Sequence, residues 1–102
     1  MSKVTIKAGE VNIINTKGDD GTPLFTTSVN QVAAREGTGT LTFQARASGS
    51  KVFEDILDAS GSTIGTLDFA NPVIFTVEAN INALQCDATG LSEDAVIEIV
   101  AV

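Results

Sequence analysis

Apolar and polar residues alternate along much of this chain with a period of two. That is the period of an extended strand whose successive side chains point to opposite faces. Val4 and Ile6 alternate with Lys3, Thr5 and Lys7, and Val11 and Ile13 resume the pattern after Gly9. The clearest case is Thr40–Ala47, where Leu41, Phe43, Ala45 and Ala47 share one face and Thr40, Thr42, Gln44 and Arg46 the other. Strict alternation of this kind specifies the register of a half-buried strand. Val73, Phe75 and Val77 alternate inward, whereas Leu84 and Cys86 have the opposite parity, so a turn or bulge is expected near residues 78–82.

The segments between are punctuated by turn chemistry. Residues 16–23 contain two Gly, two Asp and a Pro without an apolar residue, and read as a loop. Residues 24–32 are extended and Thr-rich. Ser48-Gly49-Ser50 and Ser60-Gly61-Ser62 bracket residues 51–58, whose Val52, Phe53, Ile56 and Leu57 also fit one face of a two-turn helix. The shortness of the segment and its flanking turns favour a strand. Residues 30–36 have room for one helical turn. Asn71-Pro72 interrupts the run that follows residues 63–69, since a residue before proline is held out of the helical region. Thr89-Gly90 closes the strand containing Cys86, and residues 95–102 are almost wholly apolar. About eight short strands at this spacing predict an all-β fold with little or no helix. The expected architecture is a single antiparallel β-sandwich, jelly-roll or immunoglobulin-like, spanning residues 1–102. The expected core is Ile6, Ile13, Phe25, Leu41, Phe43, Phe53, Ile64, Phe75, Val77, Leu84, Ile97 and Ile99.

Composition narrows the function more than the fold. A chain of 102 residues, 43% hydrophobic and 19% charged, is globular and sized for one core. It has no His, Trp or Tyr and a single Cys. Without His, the Ser-His and Cys-His couples and the commonest zinc ligand are missing. Without Trp and Tyr, the usual platforms for sugars and single-stranded nucleic acid are missing too. One thiol forms no intrachain disulfide, which suits synthesis in a reducing cytoplasm. No stretch approaches the length of a membrane span. The net charge is −7, unevenly spread: the first 51 residues hold all six bases with four acids, and the remainder holds nine acids and no base. Such a chain is a poor ligand for phosphate backbones, so neither nucleic acid nor membrane is an expected partner. No enzymatic activity, catalytic residue or cofactor is expected.

Two acidic groups are candidate cation sites. Asp19 and Asp20 lie in a glycine-containing loop that lacks the spaced acids of an EF-hand, and Glu54, Asp55 and Asp58 form the densest acidic cluster. A solvated turn and a charged face that discourages edge-to-edge association are the simpler readings. Cys86 shares parity with Leu84 and Ala88 and reads as a buried small apolar residue. The carboxy-terminal segment, with Ile97, Ile99, Val100 and Val102, reads as either a central strand or an interface covered by a neighbouring subunit.

Several segments resemble small β-sandwich structural proteins of tailed-bacteriophage virions, the capsid-decoration, head-fibre and tail-accessory type. They are the strand Gly37-Thr38-Gly39-Thr40-Leu41-Thr42-Phe43-Gln44, the strand ending Leu57-Asp58-Ala59-Ser60-Gly61-Ser62, the segment Phe69-Ala70-Asn71-Pro72-Val73-Ile74-Phe75, and the Ala88-Thr89-Gly90 turn that leads to the apolar last strand. The resemblance covers about two-thirds of the chain. It implies a virion protein made in the host cytoplasm, working as a homo-oligomer, for instance a trimer, on a symmetric particle beside other capsid, neck or tail proteins. A receptor- or glycan-binding module of a tail or fibre is the alternative role.

Overall fold

The computed structural model describes residues 2–15, 18, 19, 21, 23–25, 29–58, 60–71, 74–78 and 81–101. Among them, ten strands form the regular structure: β1 (Ser2–Ile6), β2 (Val11–Ile14), β3 (Asn30–Glu36), β4 (Thr40–Ala47), β5 (Glu54–Leu57), β6 (Thr63–Ile64), β7 (Thr66–Asp68), β8 (Ile74–Val77), β9 (Ile81–Asp87) and β10 (Ala95–Ala101). They build two sheets, one in the order β1-β10-β3-β8 and one in the order β2-β9-β4-β5-β6, with β7 also paired to β4. Every pairing is antiparallel. The fold is an antiparallel β-sandwich.

Inward residues of the two sheets meet in one apolar core. Val4, Ile6, Val32, Phe75, Ile97 and Ile99 come from the four-stranded sheet, and Leu41, Phe43, Ile56, Leu67, Leu84 and Cys86 from the other. Phe43 and Phe75 bridge them, their ring centroids 5.8 Å apart and tilted by 42°. Burying side chains of this size stabilises the fold by about 1.5–3 kcal/mol each. The alternation of Thr40–Ala47 places Leu41 and Phe43 in the core, with burial fading towards Ala47 at the strand's end. Phe25 and Ile64 are only partly buried, packed on the rim of the core.

Residues 63–69 form two strands and not one, which adds to the strand count. Gly65 separates β6 from β7 with φ +93°, and its carbonyl accepts a hydrogen bond from the Phe43 amide at 2.8 Å. Residues 30–36 are strand rather than helix. Hydrogen-bonded neighbours on both sides, β10 and β8, override a weak local preference, and Val32, Ala33 and Ala34 are buried consecutively. Of the extended stretch expected over residues 24–32, residues 30–32 belong to β3 and Leu24 is fully buried, while residues 26–28 lie outside the described residues. Residues 51–58 supply the strand β5.

The parity change before Leu84 has two causes. Between Val77 and Ile81 the chain leaves one sheet for the other, and the β4–β9 register then slips where Arg46 pairs with Ala83 but Ala47 with Ile81. Two expected core residues lie outside the core. In β2 it is Ile14 that points inward, so Ile13 and Val11 face outward. Asn12 shares the inward parity and closes the β1–β2 turn, its Oδ1 accepting from the Lys7 amide and its Nδ2 donating to the Lys7 and Glu10 carbonyls. Phe53 precedes β5 and lies under the Arg46 guanidinium, 5.1 Å from the ring centroid.

Charges from the two halves of the sequence interleave in space. Arg35 Nη2 donates to Glu98 Oε1 at 2.6 Å, and Lys7 Nζ meets Asp94 Oδ2 at 3.5 Å.

Candidate functional site

The carboxy-terminal segment is a central strand. β10 lies between β1 and β3, with Ile97 opposite Val4 and Ala34, and Ile99 opposite Ser2 and Val32. Ile97 and Ile99 are 0% and 1% exposed, so their side chains belong to this subunit's own core. That corrects the expectation that they present an interface. Of the four residues singled out there, Val100 is half-buried on the outward parity, and Val102 lies outside the described residues. Any contact of β10 with another molecule runs through its outward side chains, Val96, Glu98 and Val100.

On that outer face Glu98 is buried although it points away from the core. Arg35 covers it, donating from both Nε and Nη2 to Oε1, while Nη1 donates to the Ala34 carbonyl. The carboxylate is thereby satisfied within the sheet.

The acidic candidates do not converge. Asp58 is occupied in its own turn, its Oδ1 accepting from the Ser60 amide, the Ser60 hydroxyl and the Ser62 amide. Those hydrogen bonds, the Ser60 hydroxyl foremost, hold its carboxyl below the usual range. Asp87 repeats the device at the end of β9, bonded by the Thr89 hydroxyl and amide and likewise lowered. The shared Asp-Ala-Ser/Thr-Gly spelling of these two turns, at 58–61 and 87–90, is the signal in the sequence for this common role. Asp55 accepts from Gln44 Nε2 at 3.0 Å. Asp19 accepts from the Thr5 hydroxyl, and its amide donates to the Lys3 carbonyl, tying the loop to β1. Asp20 is outside the described residues. Among the described residues no group of three or more His, Cys, Asp or Glu is placed to hold a metal ion. Cys86 is fully buried between the sheets, and burial pushes its thiol up to about 11.

Two surface features remain. The first is β2, which pairs with β9 and has no strand partner on its other edge among the described residues. Its outer face carries Val11 and Ile13, 52% and 55% exposed. The strand has none of the lysines, prolines or bulges that commonly blunt an edge. The second is a cleft of about 190 Å³ between the sheets, lined by Ala45, Ala47, Glu54, Asp55, Ile56, Leu57, Val77 and Ile81. It lies where β4 ends, β5 begins, β8 ends and β9 begins. Its walls come from parts of the sequence that no motif links. The one hint in the sequence is the pair of small inward residues, Ala45 and Ala47, at the end of an otherwise large-residue strand.

No family model, curated protein or solved structure matches this chain.

Proposed function

We propose that this protein is a non-enzymatic structural subunit that works by docking onto a larger assembly, and that the assembly is the virion of a tailed phage, at the head. The observation carrying the docking half is the β2 edge. An unblunted strand edge beside two exposed, alternating aliphatic side chains is suited to strand addition, with main-chain hydrogen bonds for affinity and side chains for specificity. The virion half rests on the strand-and-turn resemblance carried by residues 37–44, 57–62, 69–75 and 88–90.

The test is sedimentation of purified protein with tail-less heads, followed by mass spectrometry of the pellet. The expected result is recovery with heads at a fixed ratio to capsid protein. Ile13→Lys, at a solvent-facing position, is expected to abolish recovery while leaving the circular dichroism spectrum and melting temperature near those of the parent. A protein that binds neither heads nor complete particles overturns the proposal. Selective binding on a glycan array, with none to heads, replaces it with the receptor-binding role.

A further inference from the structure

We propose that the cleft between the β4–β5 and β8–β9 ends is a docking pocket for one basic side chain, lysine or arginine, on an extended segment of a partner protein. The cleft is amphipathic in a particular order. Ala45, Ala47, Ile56, Val77 and Ile81 supply an apolar wall, and the exposed Glu54 and Asp55 line it beside them, Asp55 already bonded to Gln44. Glu54 has the inward parity of β5, two residues before the buried Ile56, yet it is exposed because it lies at the end of the sandwich. Among the described residues its carboxylate makes no hydrogen bond or ion pair.

No cation is paired with it among the described residues. Lys51, three residues earlier, is exposed and makes no ion pair there, residues 52–102 contain no base, and Arg46, on β4, is turned to the other face of its strand. There its Nε donates to Asn82 Oδ1 at 2.9 Å and its guanidinium stacks on Phe53. Glu78, which follows Val77, is a further exposed acid at this end of the molecule. A purely apolar occupant leaves these charges unanswered, and a small cation leaves the apolar wall wet. A lysine or arginine side chain satisfies both, laying its methylene stem on apolar surface while its head meets a carboxylate. The exposed carboxylates beside an apolar wall are what select a basic side chain, and the chain's net charge of −7, which sets two copies against each other, is what favours a partner protein over a second copy. The cleft uses no residue of β2, so the inference stands apart from particle docking and its test is independent of that one.

The experiment is a titration of the ¹⁵N-labelled full chain with the acetylated pentapeptide Gly-Ser-Arg-Ser-Gly, alongside versions with norleucine or glutamate in place of the arginine. Saturable shifts confined to the amides of Ala45, Ala47, Glu54, Ile56, Val77 and Ile81 are expected with the arginine peptide, weakening as salt is raised. Glu54→Gln is expected to weaken binding about tenfold, the size of a lost charge-assisted hydrogen bond. Ala47→Leu, which fills the cleft, is expected to abolish it, with both variants retaining dispersed native spectra. Equal binding of the norleucine peptide overturns the proposal. So does the absence of saturable shifts at roughly millimolar peptide, the weakest affinity worth naming. Concentration-dependent shifts of the same amides in the protein alone would assign the cleft to a second copy, and overturn it as well.

Discussion

Gly65 shows at one residue how tightly the sandwich is specified. Its φ of +93° is one that side-chain-bearing residues rarely adopt, and an added Cβ would lie 3.0 Å from the Phe43 carbonyl oxygen and 3.1 Å from Ile56 Cδ1. Gly65→Ala is therefore expected to destabilise the protein by about 2 kcal/mol, through backbone strain and the push on Ile56. Urea unfolding monitored by far-ultraviolet circular dichroism measures it, and an unchanged midpoint would contradict the strain. Cys86 gives the second prediction at this scale. Burial, with Asp87 adding a smaller repulsion, raises the thiol from 9.0 to about 11 in the folded state. The unfolded chain therefore loses its proton first. The contribution of Cys86 is fully present below pH 9 and is lost as pH rises from there through about 11. Cys86→Ala is expected to show a shallower fall of melting temperature over that interval than the parent. In the native parent at neutral pH, labelling by a thiol reagent is expected to be slow, and rapid labelling without denaturant would place the thiol elsewhere.

At the level of elements, the status of β10 decides what truncation does. The strand is paired on both sides and contributes Ile97 and Ile99 to the core, so deleting residues 99–102 removes a core side chain and leaves β1 and β3 without partners at that end. The expected outcome is global loss of the β-rich spectrum and of cooperative melting. A folded truncated chain would mean that β10 is dispensable to the core. The elements differed in how far their sequences revealed them. Thr40–Ala47 was legible because eight residues of strict alternation admit one register. β2 was not, because Val11-Asn12-Ile13-Ile14 offers an apolar residue on either parity, and only pairing to β9 selects Ile14. Residues 30–36 carry little strand signal of their own and depend on two neighbours distant in sequence. β10 was legible as a buried strand but not as a central one, since an apolar run looks the same beneath a neighbouring strand and beneath a neighbouring subunit. The cleft was illegible for a related reason: its walls converge from four strand ends that no local pattern connects.

Across the whole molecule, acid is expected to loosen the fold in a narrow range. Asp58, Asp87 and Asp94 all have lowered carboxyls. The Ser60 hydroxyl is the main cause at Asp58, the Thr89 hydroxyl at Asp87, and the Ala8 amide, with Lys7 beside it, at Asp94. Each therefore favours the folded state above the ordinary value of 3.8, and that contribution is lost as pH falls through the lowered folded values. Melting temperature is expected to be flat from neutrality down to about pH 5 and to fall below pH 4. Replacing both Asp58 and Asp87 with Asn should flatten the acid limb, and a limb unchanged by the double substitution would move its origin elsewhere. The architecture that joins these turns also brings Ser2 opposite Ile99 on neighbouring strands. The first and last strands thus close a loop through nearly the entire chain, and they do so last and slowly if folding proceeds from local hairpins. The β4–β5–β6 meander is the local part, while β1 and β10 must find each other across the sequence. Joining the two ends by a few flexible residues and reopening the chain between Ser60 and Gly61, at the exposed tip of the β5–β6 hairpin, converts that longest-range pairing into a neighbouring one. A circular permutant of this design would keep the same sandwich while exchanging which hairpin is local, so the order in which the sheets assemble becomes something an experimenter can choose.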